Sequence, residues 1–245
     1  MQHEGLFSRM FLARAGVFSA ITWVCVSALS ATATYKADIY EMGSNRQNKL
    51  YTMKVEIQNE GDTTSTVTQY HDLEGNLLFE DKASLKGLQI VKDELSQKQT
   101  GATATVEFDG KTAKFVKTEN GKTKTETETP KGDFVMSANF QKFVQSKWAD
   151  LMAGKTVDYR YGVWDRMESV GFSLKKTGEI GEGSEKKVTL LKKPSSFIIA
   201  ALVNPIEFVF QADGGRMLEM KGRIPPKKKD GSKWKDQDAE VVYSR

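Results

Sequence analysis

The chain has 245 residues, with 36 lysines and arginines against 32 aspartates and glutamates, a net charge of +4. The two signs are interspersed, so the composition does not predict the strongly basic surface that nucleic-acid binding requires. Cysteine occurs once and histidine twice. These counts argue against a disulfide framework and against a zinc site built from thiolates or imidazoles.

The first 33 residues have the layout of a secretory signal peptide. Arg9 and Arg14 precede an uncharged stretch, AGVFSAITWVCVSALSATA, which ends in small residues at Ala31 and Ala33. We predict that residues 1–33 are a signal peptide cleaved after Ala33, because small residues stand at the two positions that signal peptidase reads.

Residues 34–245 then form the mature chain, which we predict to be a single antiparallel β domain in the periplasm or outside the cell. Cleavage after Ala28 is the alternative site. An uncleaved signal anchor in the inner membrane is the alternative location, since the uncharged stretch is almost long enough to cross a bilayer. Loss of Cys25 with the signal would leave no cysteine nucleophile and a net charge of +3.

Most of the mature chain alternates apolar and polar residues with a period of two, as strands with one buried face do. The clearest segments are 51–57, 102–108, 157–163, 170–174 and 206–210. Turn sequences such as NEGD, FDGK, ENGK and ADGG separate such segments. About ten strands at this spacing predict a mainly β fold, a strongly curved antiparallel meander or open half-barrel.

Residues 122–132, KTKTETETPKG, contain no apolar residue. A strand of this composition cannot bury either face, so we predict a solvated edge strand that discourages pairing with other chains.

The stretch NFQKFVQSKWADLMAG, residues 139–154, predicts one amphipathic helix over about residues 138–153, capped by Ser137 and ended by Gly154. At 100° per residue, one side carries Phe140, Phe143, Val144, Trp148, Leu151 and Met152. In a meander without another long helix, this apolar stripe is expected to pack on the concave face of the sheet. The apolar run at 195–205 is either a helical turn that closes the other end of the same cavity or a buried strand.

Lys147 falls between Phe140 and Phe143 on the predicted buried side. An unpaired ammonium there would cost several kcal/mol, so the side chain must reach the rim, find a carboxylate or line a cavity. The first two outcomes are structural. The third would place one polar contact for an anionic head group in an apolar pocket. The candidate ligand-binding residues are therefore Lys147, Phe140, Phe143, Trp148, Tyr159 and Tyr161.

A resemblance covers roughly residues 35–245 and is most specific over 139–174 and 204–222. The runs NFQKFVQSKWADLMAGKTVDYRYGVWDRMESVGFSL, IIAALVNPIEFVFQADGGRMLEMKG and DGSKWKDQDAEVVY resemble uncharacterised exported proteins of Gram-negative bacteria. More distantly, the pattern is similar to envelope domains of unknown function with the half-barrel fold of lipoprotein-localisation factors. The resemblance implies a fold and a compartment, and it carries no active site onto positions of this chain.

Catalytic and metal-binding motifs are not found in the sequence. His71 is the one histidine of the mature chain, and no G-x-S-x-G elbow, Walker loop or G-x-G-x-x-G accompanies it. The acidic residues of 230–240 lack the spacing of an EF-hand and are interleaved with lysines. We therefore predict no metal, no cofactor, no nucleotide and no enzymatic activity.

The run PPKKKD at 225–230 is the remaining electrostatic feature. Lys227, Lys228 and Lys229 follow two prolines and predict a stiff positive tip that contacts anionic membrane head groups or a partner; the alternative is a solvated loop.

Two hypotheses of function follow, with an enzyme third. The first is a periplasmic binding module that holds an apolar or anionic lipid-like ligand between the curved sheet and the helix. The alternative is a structural or assembly protein of the cell envelope that contacts another protein. The third is a hydrolase without a recognisable motif.

Overall fold

The computed structural model describes residues 31–200 and 203–244, in which one open sheet of fifteen strands carries helices on its concave side. The first eight strands are β1 Ala31–Glu41, β2 Lys49–Glu60, β3 Thr63–His71, β4 Leu77–Lys86, β5 Gln89–Gln97, β6 Ala102–Phe108, β7 Ala113–Glu119 and β8 Lys122–Glu128. The other seven are β9 Phe134–Val135, β10 Val157–Val163, β11 Glu168–Ile180, β12 Lys187–Pro194, β13 Ile206–Gln211, β14 Met217–Asp230 and β15 Lys233–Ser244. The helices are α1 Ser137–Ser146, α2 Trp148–Met152 and α3 Phe197–Ala200, with a 3-10 turn at Gly183–Glu185. None of these helices is long and apolar enough to cross a membrane.

The strand order runs from β8 down to β1, then from β15 down to β9, so the first and last strands pair at the centre of the sheet. The predicted curved, mainly antiparallel meander is confirmed, with two corrections. The pairing of β9 with β10 is parallel. The strands also number fifteen instead of about ten, because strands such as β3 bury threonines, Thr64 and Thr66, and give no apolar alternation.

The sheet curves until distant strands face each other across its hollow. The ring centres of Phe108 on β6 and Phe134 on β9 lie 4.8 Å apart. Gln97 on β5 donates a hydrogen bond of 2.9 Å to the carbonyl of Pro225 on β14. Long strands with a cumulative right-handed twist close in this way.

The edge strand β8 approaches β11, in the other half of the sheet, without forming a strand ladder with it. The backbone N–H of Ser169 on β11 donates to Glu128 Oε1 at the end of β8, over 2.8 Å. Residues 122–127 of β8 are all exposed, which confirms the predicted solvated edge strand.

The predicted signal peptide lies mostly outside the described residues, which begin at 31. Strand β1 starts at Ala31, and Ala33 pairs with Ile57 of β2. Cleavage after Ala33 would remove three residues of this strand, whereas cleavage after Ala28 would leave the strand whole.

Buried residues form two apolar clusters that meet at Met220, which packs against both. The first cluster lies between β1–β7, β14 and β15 and includes Phe79, Phe115 and Phe134. The second lies between α1, α2 and strands β10–β13. Phe140 and Phe143 of α1 belong to this second cluster, as the predicted apolar stripe requires.

The predicted single helix is wrong in two details. The helix is interrupted at Lys147, whose φ of −103° and ψ of 8° are not helical and separate α1 from α2. Ser137 is not the N-cap, because Met136 holds that position and its backbone N–H donates to Asn139 Oδ1 over 2.7 Å. Gly154 follows the end of α2 with a φ of +78°, a conformation that glycine adopts without strain. The 195–205 run contains the short helix α3, with Ile199 packed on the second cluster.

Candidate functional site

Lys192 is the residue around which the candidate site is built. Burial along β12 places Val188, Leu190, Lys192 and Pro194 on the same inward face. Lys192 is only 4% exposed, which is rare for a lysine. The strand therefore carries an amine into the apolar interior of the second cluster.

Four aromatic rings surround the Lys192 amine, and we call them the aromatic cage. Lys192 Nζ lies 3.4 Å from the ring centre of Tyr161 and 4.3 Å from that of Phe172. The ring centres of Phe140 and Tyr159 lie at 5.8 and 5.9 Å. Ring faces carry partial negative charge and stabilise a cation at these distances.

The Lys192 amine has no counter-charge in the part of the chain that the structure describes. No carboxylate pairs with Lys192 there, and no group accepts a hydrogen bond from Nζ. Removal from water lowers the pKa of Lys192 to about 7. The ring faces oppose this change, because they favour the charged form.

The burial of Lys192 was not predicted, although the sequence contains a signal for it in the alternation of apolar residues along β12. The segment KVTLLKKP reads as a basic run, yet its alternate positions are Val188, Leu190, Lys192 and Pro194. A lysine that continues an apolar alternation faces the core, whereas the neighbouring Lys193 is exposed.

Lys147 is partly exposed and paired with a carboxylate. Its side chain is 33% exposed, and its Nζ lies 2.9 Å from Asp133 Oδ2 and 5.8 Å from the ring centre of Phe143. The predicted burial on the apolar side is therefore wrong, because the break between α1 and α2 turns this position toward the rim. Of the outcomes open to Lys147, pairing with a carboxylate is the one observed.

The predicted aromatic residues are divided between the cage and the helix packing. Phe140, Tyr159 and Tyr161 belong to the cage. The ring centre of Phe143 lies 4.9 Å from that of Tyr159. Trp148 packs on Phe210, 5.9 Å between ring centres, at the far end of the second cluster.

The helix interface itself is filled. The ring centres of Phe140 and Phe208 lie 4.6 Å apart, and Val144 and Leu151 are fully buried. Space for a ligand must therefore be sought on the part of the concave face that α1 leaves uncovered.

Four half-buried side chains on that face form what we call the open strip: Val55, Tyr161, Met220 and Tyr243. Each packs against a buried cluster but keeps part of its surface accessible. The Tyr161 hydroxyl lies 2.7 Å from the hydroxyl of Ser137, an exposed residue at the start of α1. Tyr161 thus belongs to both the open strip and the aromatic cage.

A pair of buried carboxyl groups lies elsewhere on the inner surface. Asp81 on β4 and Asp93 on β5 are both buried, and the two carboxyl groups lie close enough to act on each other's charge. Burial raises the pKa of Asp81 to about 6, and burial together with the Asp81 charge raises the pKa of Asp93 well above its usual value. Burial also raises the pKa of Tyr161 to about 12, with a smaller contribution from both aspartates.

The predicted three-lysine tip is only partly exposed. Lys227 is 18% exposed and pairs with Asp236, with Asp165 at 4.0 Å. The preceding prolines belong to β14, and this strand continues to Asp230 instead of ending in a stiff loop. Lys228 and Lys229 are exposed, and Lys229 Nζ lies 5.8 Å from the ring centre of Trp234.

The remaining acidic and histidine candidates have structural positions. Asp236 and Asp238 pair with Arg223, and Asp230 pairs with Lys235. His71 is half-buried at the end of β3. Among the described residues, no three histidine, cysteine or acidic side chains are grouped in a way that could hold a metal ion.

Comparison with known proteins gives a structural similarity only. No family model matches the chain, and no curated protein does. Among solved structures, the chain is similar to the crystal structure of a β-barrel-like protein of domain of unknown function DUF1849 from Brucella abortus. The two chains share 9% sequence identity over 89% of this chain and 96% of the other, with a TM-score of 0.44.

Proposed function

We propose that the protein is a binding module for an apolar molecule with an anionic head group, held in the hollow of the sheet with the head group beside Lys192. The observation that carries this proposal is a lysine that is 4% exposed and has no counter-charge among the described residues.

The energetics of the aromatic cage support an anionic ligand. Taking an ammonium out of water costs several kcal/mol, and the four ring faces return about 0.5–2 kcal/mol each, so they offset much of this cost but supply no counter-charge. An apolar side chain of the same size would fill this place on β12 more favourably. A carboxylate or phosphate from a ligand would supply the missing charge, and ligand pockets commonly combine apolar walls with one such polar group.

The open strip supports an apolar body for the same ligand. Val55, Met220 and Tyr243 keep accessible apolar surface on the concave face, and Tyr161 connects them to Lys192. Covering this surface would remove it from water at about 25 cal/mol per Å². The ligand class is therefore an amphiphile whose apolar body covers the open strip and whose head group passes Tyr161 to reach Lys192.

The test compares decanoate with decanol, which share an apolar chain and differ in charge. Binding to the purified protein is measured by isothermal titration calorimetry at pH 6.5, for the wild type and for Lys192→Met and Lys147→Met. We expect the wild type to prefer decanoate by at least about tenfold, the effect of about 1.4 kcal/mol from one charge pair. Lys192→Met should lose this preference and Lys147→Met should keep it.

Two results would contradict the proposal. One is a wild-type protein that binds neither compound. The other is a preference for decanoate that Lys192→Met retains, since the charge would then be recognised elsewhere.

We also propose that the protein is exported, on the basis of the Arg9 and Arg14 flank and the small residues before Thr34. Fractionation of expressing cells followed by N-terminal sequencing tests this. A start at residue 34 or 29 supports export, and a cytoplasmic protein that keeps Met1 contradicts it.

A further inference from the structure

We infer that Lys192 forms a reversible imine with an apolar aldehyde or ketone bound in the hollow of the sheet. This inference rests on the proposed binding function and adds a second ligand class to the same site. It stands on three features of the amine: its isolation from acceptors, its enclosure by rings and its position next to the open strip.

Isolation from acceptors separates Lys192 from other lysines on this side of the fold. Lys147 pairs with Asp133 at 2.9 Å, and Lys142 donates to the hydroxyl of Thr64 at 2.8 Å. A neighbouring carboxylate favours the ammonium, which has no lone pair with which to attack a carbonyl. No carboxylate among the described residues pairs with Lys192 in this way.

Enclosure by the cage favours the neutral amine and protects its product. Burial lowers the pKa of Lys192 to about 7, so near neutral pH a large share of this side chain is unprotonated. An exposed lysine with a pKa of about 10.4 is neutral in about one molecule in a thousand at pH 7.4. The ring faces reduce this advantage because they stabilise the cation. The same rings limit access of water, which would hydrolyse an imine.

The bond changes balance without an oxidant or reductant. The Nζ lone pair attacks the carbonyl carbon to give a carbinolamine, and a proton passes from nitrogen to oxygen. The hydroxyl then leaves as water with the second N–H proton, which forms the carbon–nitrogen double bond. Uptake of one proton from solvent gives the protonated imine, and the faces of Tyr161 and Phe172 can stabilise its positive charge as they stabilise the ammonium.

The experiment traps the imine with decanal. Purified protein is incubated with decanal and sodium cyanoborohydride at pH 7.5, digested, and mapped by mass spectrometry for decyl-modified lysines. We expect Lys192 to be modified at least tenfold more than Lys147, which serves as the matched control because it also lies against a cage-side phenylalanine but is ion-paired. A Lys192→Arg variant keeps the charge and should lose this adduct while its other lysines react as before.

Modification spread over exposed lysines, or a Lys192 that stays unmodified, would overturn the inference. The mapping on the wild type decides this even if Lys192→Arg fails to fold. Failure of the imine can be told apart from failure of the proposed function. If decanoate binding depends on Lys192 but decanal leaves it unmodified, only the imine is wrong; if decanoate recognition fails too, the site itself is wrong.

Discussion

Asp81 and Asp93 are carboxyl groups on adjacent strands, and both are buried on the inner face of the sheet. Burial raises the pKa of both groups, and the charge of Asp81 raises that of Asp93 as well. Two ionised carboxylates cannot share such a site without strong repulsion. Tyr70 and Tyr161 lie nearby, and burial raises the pKa of both, so they remain neutral at ordinary pH.

This pair should make the fold more stable in acid than at neutral pH. In the unfolded chain both aspartates titrate near pH 4, whereas in the fold the pKa of Asp81 is about 6 and that of Asp93 is also raised. The unfolded state binds fewer protons above pH 4, so the free energy of unfolding falls as pH rises from 4 through 6 and beyond. Asp81 alone contributes a loss of about 3 kcal/mol.

Urea denaturation at a series of pH values measures this decline. Asp93→Asn removes one of the two titrating groups and its charge, so its decline should be shallower. Asp62→Asn, on an exposed side chain, should leave the decline as it is. A free energy of unfolding that rises between pH 4 and 7, in parallel for wild type and Asp93→Asn, would refute the assignment.

Replacement of Lys192 by methionine should stabilise the fold below pH 7. The folded pKa of Lys192 is lowered from 10.5 to about 7, so the unfolded chain binds more protons between pH 7 and 10 and wild-type stability rises with pH there. Methionine removes the buried charge and with it this rise. We expect the stability difference between variant and wild type to be largest at pH 6 and to shrink toward pH 10.

Lys147→Met is the control for that measurement, since its ion pair is a third exposed and worth less than about 1 kcal/mol. A Lys192→Met protein that is less stable than wild type at pH 6 would mean that the aromatic cage stabilises the ammonium by more than its burial costs.

Gly222→Ala should disturb the floor of the hollow beside Lys192. A Cβ at Gly222 would lie 2.8 Å from Cγ1 of Ile206, which is the strand partner of Lys192. The φ angle of Gly222 is +148°. We expect a loss of about 1–3 kcal/mol in urea denaturation, because a close-packed neighbour must shift.

Gly61→Ala provides the comparison, because Gly61 has a φ of +62° and open space around its added Cβ. Its cost is backbone strain alone, about 1 kcal/mol. If the two substitutions prove equally costly, the Gly222–Ile206 packing does not matter for stability.

Glu128→Gln should loosen the contact between β8 and β11. A neutral acceptor for the N–H of Ser169 weakens a charge-assisted hydrogen bond by about 1 kcal/mol, so hydrogen exchange of that amide should speed up about fivefold. Exchange is followed by mass spectrometry of peptides that span β11. Glu126→Gln, an exposed change on the same strand, should have no effect at Ser169; equal acceleration by both would show that the effect is not local.

The sequence by itself determined the fold class, because a period of two, repeated between turn signals, has one physical solution: strands with one face in the core. It also determined the edge strand β8, since KTKTETE offers no surface to bury, and the apolar stripe of α1. These are local properties, readable within a few residues of each position.

Only the tertiary structure decided what surrounds the two lysines. Lys147 and Lys192 both occupy positions on an apolar face, but the backbone break after α1 places Lys147 beside Asp133 at the rim, while β12 holds Lys192 against Tyr161 and Phe172. The Asp81–Asp93 pair was equally hidden, because its members become neighbours only through the register of β4 and β5. Burial and charge depend on what the curved sheet brings together across the chain, and local periodicity does not specify that.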